Sequence, residues 1–233
     1  EAEYRATRVT EDELPEFLSD RQKDPHWRGC NVTMPLKQAV IPHLSLIEEP
    51  ASSIGAVNTI YPAFDRLLVG TNTDGAGFLE PLADDLAIAH LFRMARIIGA
   101  GGAARAIAHA LAAKNFTLVI AARRTEQAEE IIASLPEGTQ HHVVALDHFA
   151  TPTDFAFDDR QGLLDLVVNA SPLGMRGKSP LAFDWTHAPP GAIAYDIVTD
   201  PLDTQFLQLA RDAGHETIDG LAMLIGQAGA AFR

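Results

Sequence analysis

The sequence is poor in cysteine and contains no long apolar run. Cys30 is its one cysteine, so an internal disulfide is impossible and no cysteine set exists for a zinc or iron–sulfur centre. No two histidines have metal-binding spacing beside acidic residues, so we expect no metal site. No apolar run approaches the ~20 residues of a membrane span, and residues 1–20 lack the layout of a signal peptide. We therefore expect an intracellular, cytoplasmic protein.

Positive charge is also scarce. Eighteen lysines and arginines stand against 31 acidic residues, which gives a formal net charge of −13. This charge repels a phosphate backbone, so nucleic acid is an unfavourable partner and a small molecule is favoured. Four of the cationic residues are lysines, so a lysine inside a motif, such as Lys37, carries particular weight.

Strands and helices alternate in the second part of the chain. The hydrophobic pattern predicts strands at 96–98, 116–122, 142–146, 164–169 and 192–198, and helices at 103–113, 127–135, 203–213 and 221–232. Such alternation implies a parallel sheet covered by helices on both faces.

The first part of the chain is less regular. It has a candidate strand at 4–9, an acidic helix start at 10–13, a short helix at 38–46 broken by Pro42, and a hairpin whose second strand is 66–70. We predict an α/β protein of two domains, with a small α/β unit followed by a Rossmann-like parallel-sheet domain.

A glycine-rich turn opens the second domain. Gly99, Ala100, Gly101, Gly102 and Ala103 follow a predicted strand and begin a helix, in the pattern G-x-G-x-x-A. Glycines permit a tight turn there, and the helix N-terminus offers free N–H groups to a pyrophosphate. Taken alone the motif is weak, because the same residues suit a plain strand-to-helix connection; the surrounding strand–helix–strand order favours a dinucleotide site.

Two arginines follow the second strand of this domain. Where an acidic residue would bind the ribose hydroxyl of NAD, the chain has Arg123 and Arg124. Guanidinium groups suit a 2′-phosphate, so this pair favours NADP. The alternative is a pair of solvated arginines at a helix start.

A lysine and an aspartate are candidates for proton transfer. Lys37 ends the segment 31–37, between a probable strand and a helix, and Asp74 lies on a glycine-bounded turn. Hydride reduction of a ketone needs a proton for the nascent alkoxide, which a lysine beside an aspartate can supply. Spacing alone leaves open that Lys37 is a surface cation and Asp74 a turn residue.

The complete set of motifs resembles the shikimate dehydrogenase family. The resemblance covers residues 29–232 and is specific, because seven segments occur in the family's order. They are G-C-N-V-T-M-P-L-K (29–37), G-A-V-N-T (55–59), G-T-N-T-D-G (70–75), G-A-G-G-A-A-R (99–105), N-A-S-P-L-G-M (169–175), Y-D-I-V (195–198) and D-G-L-A-M-L-I-G-Q (219–227).

This resemblance implies an enzyme that reduces 3-dehydroshikimate to shikimate with NADPH, on the route to chorismate and the aromatic amino acids. It implies Lys37 as the catalytic lysine and Asp74 as its partner. The residues that it places at the substrate are Thr33, Asn58, Asp74, Thr199 and Gln227. Those that it places at NADP are Glu49, Gly99, Ala100, Gly101, Gly102, Ala103, Arg123, Arg124, Ile197 and Gly220.

Three departures from the family pattern affect these expectations. The opening strand and the Ser-x-Ser segment that holds the substrate carboxylate do not appear before Glu1, so we expect a truncated or incompletely recorded chain. Thr199 stands where the family usually has a tyrosine, which removes a phenolic contact with substrate. The family's Asn-Arg-Thr stretch reads Ala122-Arg123-Arg124-Thr125, so the preference for NADP rests on charge.

We expect residues 1–75, completed by the helix 220–233, to form the substrate domain, and residues 76–219 to form the NADP-binding domain. A quinate/shikimate dehydrogenase, or a paralogue that uses NAD or another hydroxylated cyclohexane carboxylate, is the alternative within enzymes. A non-catalytic NADP-binding protein is the alternative of another class. We expect no nucleic-acid or membrane partner, and a monomer or homodimer.

Overall fold

The computed structural model describes residues 3–90, 92–138, 140–151, 162–186 and 188–232. Their contacts divide the chain into two compact units, residues 1–72 and 73–233. The last helix packs within the second unit, against that unit's first helix. The functional division at residue 75, with 220–233 assigned to the substrate domain, stays a prediction, and Arg233 lies outside the described residues.

The first unit is a small mixed sheet with short helices. Its helices and strands, in chain order, are α1 (Leu14–Lys23), β1 (Cys30–Asn31), α2 (Leu36–Ala39), β2 (Leu46–Ile47), α3 (Ala51–Ile54), β3 (Thr59–Pro62) and β4 (Leu68–Thr71). The strands lie in the order β1-β3-β4-β2. Leu14, Leu18, Val40, Val57 and Ile60 are in its buried core.

Two expectations for the first unit are wrong, and a third, the acidic helix start, is confirmed with the helix beginning at Leu14. The segment 4–9 is no strand, because among the described residues no neighbouring strand pairs with it. The acidic segment 10–13 forms a turn before α1, in which the Glu13 carboxylate accepts hydrogen bonds from the backbone and hydroxyl of Thr10. The predicted helix 38–46 is instead α2, a 3-10 turn at Ile41–His43 and β2, because Pro42 cannot supply a helical N–H.

The second unit begins with two short helices, α4 (Asp74–Leu79) and α5 (Ala83–Ala87). Strands and helices then alternate over most of its length. They are β5 (Phe92–Ile98), α6 (Gly102–Ala112), β6 (Thr117–Ala122), α7 (Thr125–Ala133), β7 (His142–Ala145), β8 (Leu163–Asn169), β9 (Ile193–Asp196), α8 (Gln205–Asp212), β10 (Glu216–Ile218) and α9 (Gly220–Ala231).

The six strands of this unit are parallel and lie in the order β10-β9-β8-β5-β6-β7. This is the doubly wound Rossmann order, with its reversal between β5 and β8. Side chains of α4, α6, α7 and α9 cover one face of the sheet, and those of α8 and residues 181–185 cover the other. The structure confirms the predicted α/β class and the parallel-sheet domain.

Candidate active site

One edge of the sheet in the first unit gathers several predicted site residues. β1 and β4 run antiparallel to β3, and β2 runs parallel to β4. The ends of β1, β2 and β4 and the beginning of β3 therefore meet at the same edge. Thr33 follows β1, Glu49 follows β2 and Asn58 immediately precedes β3, so all three lie at this edge.

Backbone hydrogen bonds tie Lys37 and Asn58 into one arrangement. The amide of Val57 donates to the carbonyl oxygen of Lys37 over 2.8 Å, and the amide of Val32 donates to that of Asn58 over 2.7 Å. The Asn58 side chain is buried, and its oxygen accepts a 2.9 Å hydrogen bond from the Thr59 hydroxyl. The structure therefore brings Thr33, Lys37 and Asn58 together.

Glu49 lies at the same edge of the sheet but apart from Thr33. Its carboxylate is exposed and accepts a hydrogen bond from the hydroxyl of Ser52 on α3. Because β2 and β1 are the outer strands of the sheet, the two inner strands separate Glu49 from Thr33.

The glycine-rich turn lies where the parallel sheet reverses its strand order. Gly99 has φ +118°, and an ideal Cβ there would lie 2.7 Å from the carbonyl oxygen of Ala170. The turns after β5 and β8 therefore approach too closely for any side chain at position 99. An ideal Cβ on Gly101 meets no atom of the described residues within 4 Å, so open space adjoins the N-terminus of α6. Ala100, Gly102 and Ala103 complete this turn.

Arg123 and Arg124 are both exposed, between β6 and α7. Arg123 lines a groove of about 450 Å³ at the carboxyl ends of β6 and β7, together with apolar side chains such as Leu146, Leu173 and Leu181. Asp147 also lines the groove. We did not predict this carboxylate from the sequence, because Asp147 follows the third strand of the sheet and the cofactor motif ends at the second.

The loop after β9 contains two predicted site residues. Ile197 is half-buried and Thr199 is exposed. An ideal Cβ on Gly220 would lie 2.7 Å from the carbonyl oxygen of Ile197 and 2.3 Å from that of Val198. The structure therefore brings Gly220 and Ile197 into contact, and glycine is required for this approach.

The beginning of α4 meets α9. Asp74 is the first residue of α4 and is buried, so the predicted glycine-bounded turn is wrong and the segment is helical. An ideal Cβ on Gly77, one turn further along α4, would lie 2.3 Å from the backbone nitrogen of Gln227. This backbone contact brings the helix that carries Asp74 against Gln227.

Asp196, which we did not predict as a site residue, forms a buried network with Asn169, the first residue of the family segment 169–175. The Asp196 carboxylate accepts hydrogen bonds from the Asn169 side chain (3.0 Å), the Val198 amide (3.0 Å) and the Thr204 hydroxyl (2.6 Å). Burial raises the pKa of Asp196, and these donors oppose the shift. The sequence did contain a signal for this site, because the carboxylate of Asp196 interrupts an otherwise apolar predicted strand.

The described residues contain neither a candidate metal centre nor a candidate membrane-spanning helix. No cluster of histidine, cysteine and acidic side chains there has the arrangement of a metal site. None of the described helices combines the length and the apolar character needed to cross a bilayer.

Comparison with known proteins places this architecture in a family. Residues 1–60 match the family described as the shikimate dehydrogenase substrate binding domain. The shikimate dehydrogenase (NADP(+)) of Sphingopyxis alaskensis is 44% identical over 237 residues, which cover 100% of this chain and 79% of that relative. The chain belongs to the shikimate dehydrogenase family.

Solved structures of the family share the fold. The shikimate 5-dehydrogenase of Thermus thermophilus, in complex with NADP(H) and shikimate, is 31% identical with a TM-score of 0.78, over 97% of this chain and 78% of that one. The quinate dehydrogenase of Corynebacterium glutamicum, in complex with NAD, is 32% identical with a TM-score of 0.78, over 98% and 79% of the two chains. Family members of the same fold thus differ in substrate and cofactor.

Proposed function

We propose that this protein is a shikimate dehydrogenase, which reversibly reduces 3-dehydroshikimate to shikimate with NADPH in chorismate biosynthesis. The 44% identity to a shikimate dehydrogenase (NADP(+)) along the whole chain carries this proposal. The positions of Lys37, Asn58 and Asp74 support it, because these residues precede the strand–helix alternation that any dinucleotide-binding protein shares. Gln227 lies on the last helix, against the backbone of Gly77 on α4.

The residues of the second unit fit NADP. Gly99 allows two turns to approach at the strand reversal, and the open space beside Gly101 leaves the N-terminus of α6 accessible to a pyrophosphate. The exposed Arg123 and Arg124 suit a 2′-phosphate. The groove beside Arg123 has apolar walls for an adenine ring, with Asp147 as an acceptor for its amino group.

The reduction transfers a hydride to the carbonyl carbon and a proton to the carbonyl oxygen. When bound, NADPH supplies the hydride. We assign to Lys37 the donation of a proton to the developing alkoxide and the stabilisation of its charge, with Asp74 as its partner in holding the substrate oxygen. In the oxidative direction Lys37 receives the proton.

The remaining polar residues bind the substrate in this proposal. Thr33, Asn58 and Gln227 offer a hydroxyl and two amides to the hydroxyl groups of the ring. Sites built from such groups reject analogues that lack a hydroxyl, because a buried polar group would then be unpaired. Thr199 has a shorter side chain than the usual tyrosine, so it extends less far toward the substrate.

A quinate dehydrogenase or an NAD-dependent paralogue is the second candidate. Thr199 favours it, as does the similarity to the C. glutamicum enzyme. The monomeric or homodimeric state stays a prediction, and so does the cytoplasmic location, which rests on the low cysteine content.

The deciding experiment mixes the full-length protein with shikimate or quinate, each with NADP and with NAD, and follows absorbance of the reduced nicotinamide. We expect fast reduction of NADP by shikimate. Turnover confined to quinate or to NAD would favour the second candidate. Binding of NADP without any turnover would contradict both and leave a non-catalytic cofactor-binding protein.

A further inference from the structure

Two helices of the second unit, α4 and α9, cross at a pair of glycines, Gly77 and Gly226. An ideal Cβ on Gly77 would lie 2.3 Å from the backbone nitrogen of Gln227 and 2.7 Å from its Cα. One on Gly226 would lie 2.9 Å from both the Cα and the carbonyl oxygen of Gly77. These distances are shorter than real Cβ atoms adopt, so the helices contact each other backbone to backbone.

This crossing lies beside two proposed substrate-binding residues. Asp74 is three positions before Gly77, and residues at that spacing share one face of a helix. Gln227 directly follows Gly226 and lies on the Gly77 backbone. The separation of the two helix backbones therefore determines how far the Asp74 carboxylate lies from the Gln227 amide.

A second glycine contact fixes the beginning of α9. Gly220, its first residue, lies against the carbonyl oxygens of Ile197 and Val198. Met223, between the two glycine contacts, is buried. With its first residue and its middle held by backbone contacts, α9 cannot slide or rotate without a clash. Its position is therefore defined relative to Asp74 and to Ile197 together.

We propose that Gly77 and Gly226 are positioning residues that set the spacing of Asp74 and Gln227 to match a polyhydroxylated cyclohexane carboxylate. This inference rests on the proposed function. A methyl group at the crossing pushes the helices apart by a fraction of an ångström to about an ångström, and displacements of that size can cost ~100-fold in rate. The glycine-rich turn after β5 lies at the start of α6, whereas α4 packs on Ala106 and Ala110 further along that helix, so the displacement acts more on the substrate residues than on this turn.

Gly226→Ala tests the proposal, with Gly229→Ala as the matched control on the same helix. Both changes replace a helical glycine by alanine, which has the higher helix propensity. An ideal Cβ on Gly229 meets no atom of the described residues within 4 Å, whereas one on Gly226 meets the Gly77 backbone. Steady-state kcat and KM for shikimate and for NADP are measured, with circular dichroism and urea unfolding.

We expect Gly226→Ala to lower kcat/KM for shikimate by roughly 10- to 100-fold, with a smaller rise in KM for NADP because Gly220, at the start of α9, contacts Ile197. Gly229→Ala should resemble the wild type for both. Equal kinetics of the two variants would overturn the proposal, as would equal losses toward shikimate and NADP, because general loosening affects both. If the wild type itself fails to oxidise shikimate, the proposed function fails as well.

A second variant keeps the test decisive if Gly226→Ala does not fold. The new methyl would also lie 2.5 Å from the Glu80 carboxylate. The double variant Glu80→Ala/Gly226→Ala removes that side chain and retains the clash with Gly77, with Glu80→Ala alone as its control. The proposal requires the double variant to lose more in kcat/KM for shikimate, relative to Glu80→Ala, than its KM for NADP rises.

Discussion

The side chain of Asn169 donates a 3.0 Å hydrogen bond to the carboxylate of Asp196. Both residues are fully buried, and they are register partners at the ends of the neighbouring strands β8 and β9. Asp196 also accepts from Val198 and from Thr204, which caps α8. One carboxylate therefore holds both ends of the loop that carries Ile197 and Thr199.

Replacing Asp196 by leucine should destabilise the protein and weaken the cofactor site. The change leaves the donors of Val198 and Thr204 unpaired in the interior, at a cost of about 1–3 kcal/mol for each. Asp196→Asn keeps one acceptor oxygen and should restore most of the loss. Urea unfolding and KM for NADP measure the two effects. A leucine variant as stable as the asparagine variant would contradict this role.

Lys37→Ala should remove catalysis and spare cofactor binding. Loss of a general acid typically lowers the rate by ~10²–10⁴-fold, and Lys37 lies in the first unit whereas the glycine-rich turn lies in the second. Single-turnover rates and fluorescence titration with NADPH separate chemistry from binding. As a control, the exposed Lys23→Ala should leave both unchanged. Near-normal turnover of Lys37→Ala would show that the proton comes from another group.

Replacing Arg123 and Arg124 by serine should shift the cofactor preference. Each guanidinium can supply charge-assisted hydrogen bonds of about 1.5–3 kcal/mol to a 2′-phosphate. Because both side chains are exposed, solvent screens these interactions, and we expect KM for NADP to rise by roughly 10- to 100-fold and KM for NAD to stay unchanged. Arg5→Ser, at an exposed arginine in the first unit, serves as the control. A parallel rise for both cofactors would indicate that the arginines do not read the phosphate.

Substitutions of the buried ion pair of Arg96 and Asp165 should have strongly non-additive effects on the free energy of unfolding. The two residues lie on neighbouring strands, each with a 2% exposed side chain. Removing one partner of such a pair typically costs about 3–5 kcal/mol, whereas replacing both with apolar residues is often neutral. Asp165→Leu should therefore be less stable than Arg96→Met/Asp165→Leu. Urea unfolding of the double-mutant cycle measures the difference, and simple additivity would contradict the expectation.

His215 should make stability fall on mild acidification. Burial lowers the pKa of His215 from its ordinary value of 6.5, although a backbone hydrogen bond opposes the shift. Between the lowered pKa and 6.5 the unfolded chain binds more protons than the folded protein, so stability is lost as the pH falls through this window. The ring of His215 lies 5.0 Å from that of Trp185. His215→Phe should keep this contact and show a smaller loss of stability over the same window.

The parallel-sheet domain could be predicted because its strands are buried on both faces. Strands such as 116–122 and 164–169 are nearly continuous apolar runs. Gly99 marks the turn after the first strand of the domain, and Pro136 marks the end of its second predicted helix. The cofactor turn follows from the same pattern. Each part of that prediction depends on residues close together in sequence.

The first unit and the residues around Asp74 could not be read in the same way. β1 and β2 have two residues each, which is too short for any period. Gly75 and Gly77 indicate a turn by local preference, yet both are helical because α4 packs closely on Ala110 of α6 and on Gln227 of α9. Tertiary contact decides the conformation there. The Asn169–Asp196 bond likewise depends on strand register, which local sequence does not encode.

The crossing of α4 and α9 forms late in the synthesis of the second unit. α4 and α9 are the first and last helices of the second unit, and a ribosome delivers the chain from its N-terminus. All six strands of the parallel sheet, with the glycine-rich turn, emerge before Gln227 does. α9 can therefore dock on the helix that carries Asp74 only after almost the whole unit has been synthesised. The substrate site is therefore completed only after the parallel sheet and its glycine-rich turn have been synthesised.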